Sequence, residues 1–216
     1  MEVVIPAYNE EATVAGVVKA ARACPLVRRV VVIDDGSRDR TAEVAQAAGA
    51  EVVRLPQNRG KTAALVAGEM ATAAGVLVLL DGDLLGLDPS HLEALAAPVL
   101  CGEAAMTIGI FQEGRLLTDL SQRVTPFLNG QRALRRELLM GLHGAERRRY
   151  AADTLLSRYA RYRRLPVRMV PLRGLTQGMK EEKLGVFKGF LSRLRMFAEV
   201  GWAFFATWSR ETGVNK

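Results

Sequence analysis

The sequence predicts an α/β protein whose mostly parallel sheet is covered by helices on both faces. Over residues 2–110, short apolar runs alternate five times with segments whose apolar residues recur at helical spacing. The strand segments lack polar alternation, as expected of strands buried on both faces. Carboxylates follow two of these strands, at the edge where open parallel sheets bind ligands.

The predicted elements follow in chain order, with Pro25 ending the first helix and either Ser37 or Asp39 capping the second, which runs to Gly49. Beyond residue 110 the alternation loosens. No repeat or low-complexity linker divides the chain, so we expect one domain with a helical tail. The strands are predicted at 2–6, 29–34, 51–55, 76–81, 104–110 and 167–172, the helices at 10–24, 60–74, 89–100, 131–140, 146–164 and 184–208, and a polar loop at 112–122.

Charge is distributed unevenly along the 216 residues. Residues 1–110 carry 9 Lys and Arg against 14 Asp and Glu, a net charge of −5, whereas residues 111–216 carry 21 against 9, a net charge of +12. The two halves are therefore expected to meet different ligands. A basic half suits a phosphate-bearing ligand or an anionic membrane surface, or it is a solvated arginine-rich face. Nucleic acid is not favoured, because no recognition motif accompanies the basic clusters.

Cysteine spacing and hydropathy argue against several protein classes. Cys24 and Cys101 lie far apart with no histidine near them, which indicates neither a disulfide framework nor a zinc site. A strand begins at once at the amino terminus, so we expect no signal peptide, and no apolar run reaches the roughly 18 residues of a spanning helix. The expected location is the cytoplasm.

Two aspartate pairs stand at strand ends. Asp81 and Asp83 flank a glycine and could bind a hard divalent cation that in turn binds phosphate, although the same triplet also occurs in ordinary turns. Asp34 and Asp35 could accept hydrogen bonds from a ribose or a base, or cap the next helix. The residues alone leave both alternatives open.

Four segments taken together resemble glycosyltransferase family 2 enzymes of the Rossmann-like GT-A fold. They are VVIPAYNEEATV, VVVIDDGSRDRT, LPQNRGKTAAL and VLVLLDGDL, in the family's order and spacing over residues 2–110. The branch most similar in its later segments comprises polyprenyl-phosphate and phosphoglycerate glycosyltransferases. The resemblance implies a nucleotide-sugar-binding half at 1–110, an acceptor-binding half at 111–182 and an amphipathic tail at 183–216.

The resemblance also implies roles for individual residues. Asp35 would contact the nucleoside, Lys61 would stand near the phosphates of the sugar nucleotide, and Asp81 and Asp83 would form the DXD motif that binds Mg or Mn through the diphosphate. A divalent cation and a lysine can offset the charge that builds on a departing nucleoside diphosphate. The loop after the first strand would surround the base and ribose through Pro6, Ala7, Tyr8 and Glu10.

Inverting transfer needs a base for the acceptor proton, which the family supplies as a later carboxylate. Asp153 is favoured over Glu146, although each could instead pair with a nearby arginine. Arg135 is among the arginines that would bind a phosphorylated acceptor. In several relatives a histidine that completes the metal site stands where this chain has Gln177, and an amide is a poorer metal ligand than imidazole.

The tail combines basic residues with Trp202 and Trp208, which fits a helix at the inner membrane interface and a polyprenyl-phosphate acceptor. A helix packed on the domain or in a homodimer contact fits equally.

The resemblance as a whole implies an inverting, metal-dependent glycosyltransferase with a nucleoside diphosphate sugar donor. The alternative is a binding protein for nucleotide sugars or lipid phosphates that kept the fold and lost the chemistry. A nucleotidyltransferase is less favoured, because no glycine-rich phosphate loop precedes the first helix.

Overall fold

The computed structural model describes residues 1–112, 129–145, 149 and 151–177, all within a compact unit, Met1–Gly178. A 3₁₀ helix, Arg136–Leu142, accompanies the following helices and strands. The strands are β1 (Glu2–Ala7), β2 (Arg29–Asp34), β3 (Glu51–Arg54), β4 (Val76–Leu79), β5 (Leu84–Leu85), β6 (Met106–Gln112), β7 (Arg132–Arg135), β8 (Val167–Arg173) and β9 (Thr176–Gln177). The helices are α1 (Val14–Ala23), α2 (Thr41–Ala47), α3 (Lys61–Met70), α4 (Pro89–Leu100) and α5 (Ala152–Tyr162).

Seven strands form one sheet in the order β3-β2-β1-β4-β7-β6-β8, and β5 pairs with β9 in a small second sheet. Strands β1 to β4 pair in parallel, as do β6 and β8, whereas β7 runs antiparallel to both of its neighbours. The carboxyl ends of the parallel strands therefore share one edge with the amino end of β7. The predicted fold class is confirmed.

Two apolar cores hold the helices against the sheet. One face packs on α1, α2 and α4, with Ile5 and Val32 among its fully buried residues. The other face packs on α3, α5 and the 3₁₀ helix, with Val4 and Ile33 buried there. Alternate residues of β1 and β2 enter opposite cores, which explains why these strands are apolar throughout.

The helix predicted at 131–140 is wrong in its first half. Residues 132–135 form β7, which lies between β4 and β6, and a 3₁₀ helix then buries Leu138, Leu139 and Leu142. These leucines supplied the helical spacing. A short strand buried on both faces has no alternation to reveal it.

Other boundaries differ by a few residues. Helix α1 begins at Val14 rather than at residue 10, because the Glu10 carbonyl closes a turn with the Thr13 and Val14 amides. At the start of α2, the Thr41 amide donates to the Asp39 carboxylate at 3.0 Å, while the Ser37 hydroxyl accepts from Asn9 instead. The predicted tail at 183–216, Glu146 and most of the loop at 112–122 lie outside the described residues. In the described part, the helices are all too short or too polar to cross a bilayer.

Candidate active site

Polar side chains gather at the edge of the sheet where the parallel strands end. Asp34 closes β2, Ala7 closes β1 beside it, and Asp81 follows β4. Arg132, at the amino end of β7, pairs with Leu79 at the carboxyl end of β4. This is the edge at which open α/β sheets bind ligands.

The loop after β1 is fixed to the loop after β2 by hydrogen bonds. The Asn9 amide donates to the Ser37 hydroxyl at 3.0 Å, and the Arg38 amide donates back to the Asn9 side chain at 2.9 Å. Asn9 adopts a left-handed conformation, with φ of 57°, which asparagine tolerates better than most residues. The backbone of the PAYNE segment is therefore held in place, and Tyr8 projects from it with 38% of its surface exposed.

Asp34 and Asp35 are both buried and both bind neighbouring backbone. Asp34 accepts from the Ser37 amide at 2.9 Å and forms an ion pair with Arg54 at 3.0 Å. The two oxygens of Asp35 accept from the Arg59 and Gly60 amides, each at 2.7 Å. Burial raises the pKa of Asp35, against the opposing effect of these amides. The first aspartate pair therefore shapes the loops on both sides of the predicted nucleoside pocket.

The DXD turn packs against the loop after β1. The Thr13 hydroxyl donates to the Gly82 carbonyl at 2.9 Å and lies 3.2 Å from a carboxylate oxygen of Glu10. A side chain at Gly82 would meet Ala7 and Glu10. Three of the four residues predicted to surround the nucleoside, Pro6, Ala7 and Glu10, thus adjoin the predicted metal motif.

Lys61, the first residue of α3, joins two carboxylates that are distant in sequence. Its ammonium lies 2.7 Å from Asp81 Oδ1 and 3.0 Å from Asp153 Oδ2. Burial alone would lower the pKa of Lys61, but the charges of Asp153 and Asp81 outweigh it and raise the pKa above its ordinary value. The lysine is therefore a fixed cation between the DXD motif and the predicted base.

Asp81 accepts further hydrogen bonds at its other oxygen. The side-chain amides of Gln131 and Gln177 donate to Asp81 Oδ2 at 3.1 and 2.8 Å. Gln177 reaches this position because β9 pairs with β5, which places it opposite Leu84 and next to the DXD turn. Gln177, predicted to stand in place of a metal-site histidine, thus hydrogen-bonds to the first aspartate of the predicted metal motif.

Asp153 lies in the first turn of α5 with 8% of its surface exposed. While Oδ2 faces Lys61, Oδ1 is buried 3.6 Å from the Arg132 guanidinium and accepts no hydrogen bond from the described residues. Buried carboxylate oxygens normally find a hydrogen-bond donor. Oδ1 instead lies beside a buried positive charge, and Oδ2 is the oxygen that faces the lysine.

The DXD motif fits a cation that a ligand helps to hold. Within the described ranges, no cluster of three or more His, Cys, Asp or Glu residues could hold a metal alone. Magnesium needs no such cluster, because it is commonly bound by one or two carboxylates with substrate phosphates and waters. Asp81 and Asp83 are the two carboxylates predicted for that role, and the oxygen of the Gln177 amide would add to them if the amide turned over.

Two arginines of the basic half lie in different places relative to the site. Arg135 pairs with Val76 at the amino end of β4. The structure therefore places it away from the Lys61 cluster, which comprises Lys61, Asp81 and Asp153, and does not support contact with a ligand there. Arg149, from the same group of arginines, does reach the site loops through hydrogen bonds to Asn58.

Three site residues were missed by sequence reasoning, namely Gly130, Gln131 and Arg132. They belong to the loop before β7 and to its first residue, in the segment assigned to a helix. The segment NGQR, with one glycine and three polar residues, was the available signal for a strand end.

Gly130 packs directly on the ion pair, so replacing it with alanine should weaken the site. A methyl group there would clash with the Lys61 ammonium and both carboxylate oxygens of Asp81. We expect Gly130→Ala to lower the affinity for a nucleoside diphosphate, measured by calorimetry with Mn²⁺, about tenfold, the size of effect seen when supporting contacts of a metal site are lost.

Gly16 offers a matched control for this variant. It lies in α1 with open space around an added methyl group, so Gly16→Ala should leave the nucleotide affinity unchanged and raise the melting temperature, because alanine favours helix. Equal nucleotide affinities for Gly130→Ala and the unmodified chain would show that the ion pair does not need its present position.

Comparison with known proteins gives a consistent result. The family model for glycosyl transferase family 2 matches residues 2–164. Glucosyl-3-phosphoglycerate synthase of Mycobacterium tuberculosis is 35% identical over 120 residues, covering 51% of this chain and 37% of that protein. Undecaprenyl-phosphate 4-deoxy-4-formamido-L-arabinose transferase of Pseudomonas aeruginosa is 40% identical over 94 residues, covering 39% and 28%. The matches thus cover less than half the length of these curated relatives.

Solved structures agree with the sequence comparison. The M. tuberculosis synthase in complex with Mg²⁺ and uridine diphosphate superposes with a TM-score of 0.65 and 29% identity, over 89% of this chain and 78% of that one. Its complex with Mn²⁺, UDP-glucose and phosphoglyceric acid gives a TM-score of 0.61 and 26% identity, over 93% and 79%. Because the family model matches most of the length of this chain, the chain belongs to glycosyl transferase family 2.

Proposed function

We propose that this chain is a metal-dependent, inverting glycosyltransferase that moves a sugar from a nucleoside diphosphate sugar to a phosphorylated or lipid-linked acceptor. The observation that carries the proposal is the bridge made by Lys61, whose ammonium contacts both Asp81 and Asp153. A phosphate-binding cation, a DXD carboxylate and a candidate base thus share one site.

The site residues suggest how the transfer would proceed. The Asp153 carboxylate, which Lys61 contacts through Oδ2, would accept the proton of the acceptor hydroxyl, so that the hydroxyl oxygen attacks the anomeric carbon. As the bond to the diphosphate oxygen breaks, negative charge builds on the leaving group, and Lys61 is placed to offset it. Asp81 and Asp83 would hold Mg²⁺ or Mn²⁺, which would neutralise part of the same charge.

The relatives suggest which substrates to test. One compared structure contains UDP-glucose and phosphoglyceric acid, and one compared transferase is named for undecaprenyl phosphate. The net charge of +12 in residues 111–216 suits either phosphorylated acceptor. Membrane contact by residues 183–216, a homodimer and a cytoplasmic location stay predictions. So does the division of the chain at residues 110 and 182.

A transfer assay tests the proposal. The full chain is incubated with UDP-glucose and either 3-phosphoglycerate or undecaprenyl phosphate, with Mn²⁺, Mg²⁺ or EDTA, and the products are identified by mass spectrometry. Metal-dependent release of UDP with a glycosylated acceptor is expected. If UDP-glucose is neither transferred nor hydrolysed although UDP with Mn²⁺ raises the melting temperature, the chain is a binding protein instead.

The binding-protein alternative is favoured by Gln177, which replaces a histidine of several relatives and donates a hydrogen bond to Asp81. Gln177→His should strengthen Mn²⁺ binding in the presence of UDP, because imidazole is a better ligand than an amide. We expect the Mn²⁺ concentration that gives half-maximal stabilisation to fall about tenfold. Single residues around a metal site change metal affinity by amounts of this size. An unchanged midpoint would place residue 177 outside the coordination shell.

A further inference from the structure

Arg132 is completely buried, which is unusual for an arginine. Burial lowers the pKa of its guanidinium, against the opposing effect of Asp153 and Asp81. A buried charge is costly unless it is paired and hydrogen-bonded. The position of Arg132 therefore needs an explanation in terms of what it holds.

The guanidinium contacts both sides of the candidate active site. Its Nη1 donates to the Ser157 hydroxyl at 3.0 Å, and that hydroxyl donates to the Asp153 carbonyl at 2.9 Å. Its Nε donates to the Asn129 carbonyl at 3.0 Å and lies 3.6 Å from Asp153 Oδ1. The Arg132 guanidinium thus holds both the first turn of α5 and the residues 129–131 that precede β7.

Each of these two segments presents a residue to the Lys61 cluster. The first turn of α5 carries Asp153, and the loop carries Gln131, which donates to Asp81. The Asn129 side chain also accepts from the Gln131 amide, which fixes that loop. Since Arg132 itself belongs to β7, between β4 and β6, the central sheet supports all of these contacts.

We propose that Arg132 is a positioning residue that orients Asp153 relative to the sugar-nucleotide side of the site. Arg132 contacts no substrate in this account and acts through Asp153. The inference rests on the proposed function, because it assigns Asp153 the proton-accepting role.

A double-mutant cycle on turnover tests the inference. The variants are Arg132→Met, Asp153→Asn and their combination, assayed as full chains with UDP-glucose, Mn²⁺ and the acceptor that the unmodified chain uses. Arg132→Met should lower kcat about 100-fold, as misplacement of a reacting group by about 1 Å does, with the KM for UDP-glucose nearly unchanged. In the Asp153→Asn background the same change should cost less than about threefold, because the two residues act as a unit.

Ser157→Ala provides a milder variant if Arg132→Met does not fold. It removes the hydroxyl that joins Arg132 to the Asp153 carbonyl, and it should lower kcat without changing the KM for UDP-glucose, again only when Asp153 is present. Arg136→Met is the matched control. Arg136 follows β7 and pairs with Glu69 on α3 at 2.8 Å, so its loss should leave kcat unchanged.

The outcomes separate the inference from the proposed function. No transfer by the unmodified chain overturns both. If the unmodified chain transfers glucose and the effects of Arg132→Met and Asp153→Asn on kcat multiply independently, the positioning role alone is wrong. A rise in the KM for UDP-glucose with kcat unchanged would overturn it as well, because Arg132 would then support sugar-nucleotide binding rather than the base.

Discussion

Asp153→Asn is expected to lower kcat by roughly 10²–10⁴-fold, the usual contribution of a general base. Lys61 and Arg132 fix the carboxyl group of Asp153 from two sides, at Oδ2 and Oδ1 respectively. Asparagine keeps the shape of the side chain but cannot take a proton. Binding of the sugar nucleotide should be nearly intact, because the loops after β1 and β2 do not depend on this side chain.

Turnover at saturating acceptor is the measurement, with UDP-dependent thermal stabilisation as the control for sugar-nucleotide binding. Glu146→Gln is the matched variant, since Glu146 is the other carboxylate predicted as a base. It lies outside the described residues. Loss of turnover in Glu146→Gln, with turnover retained in Asp153→Asn, would transfer the role of base to Glu146.

The size of the Asp153→Asn effect also distinguishes two kinds of acceptor. A hydroxyl group must lose its proton as it attacks, so a sugar transferred to a hydroxyl needs the base. A phosphate oxygen is already charged at neutral pH and needs no base. We therefore expect the full loss with a hydroxyl acceptor and a much smaller loss if the attacking atom is a phosphate oxygen.

The amino-terminal half of the fold could be predicted closely because its signals are local. Strand β2 was predicted with its exact bounds and β1 to within one residue, since apolar runs there end at a proline or a carboxylate. Strand β7 could not be predicted in the same way. Its place in the sheet depends on pairing with β4, some 55 residues earlier in the chain, and no pattern within a four-residue strand encodes such a partner.

The same distinction separates the site residues that were predicted from those that were missed. Asp81 and Lys61 were predicted from motifs and Asp153 from its position later in the chain, and the structure brings the three together. Arg132 was missed because arginines are rarely fully buried, so nothing in the sequence separates it from the exposed Arg135 three residues later. Only the pairing of β7 with β4 shows that Arg132, and not Arg135, lies at the edge of the sheet where the parallel strands end.

Asp83→Ala is expected to abolish transfer and to remove the metal-dependent part of nucleotide binding. Asp81 is not the residue replaced, because it binds Lys61, Gln131 and Gln177, and its loss would disturb the whole cluster. With UDP at about one hundred times its dissociation constant in the presence of Mn²⁺, the unmodified chain should gain about 2.7 kcal/mol of stability. The variant should gain only what the unmodified chain gains with EDTA.

Thermal unfolding with UDP, in Mn²⁺ or in EDTA, measures this difference directly. Glu93→Ala is the matched control, because Glu93 is an exposed carboxylate within α4 and its loss should leave the Mn²⁺ response unchanged. If Asp83→Ala kept the full Mn²⁺ response, the cation would not be held by the DXD motif. If UDP stabilised the unmodified chain equally with Mn²⁺ and with EDTA, the metal would contribute nothing to nucleotide binding. Lys61 would then be the residue positioned to balance the diphosphate charge, and the metal dependence of the proposed function would be wrong.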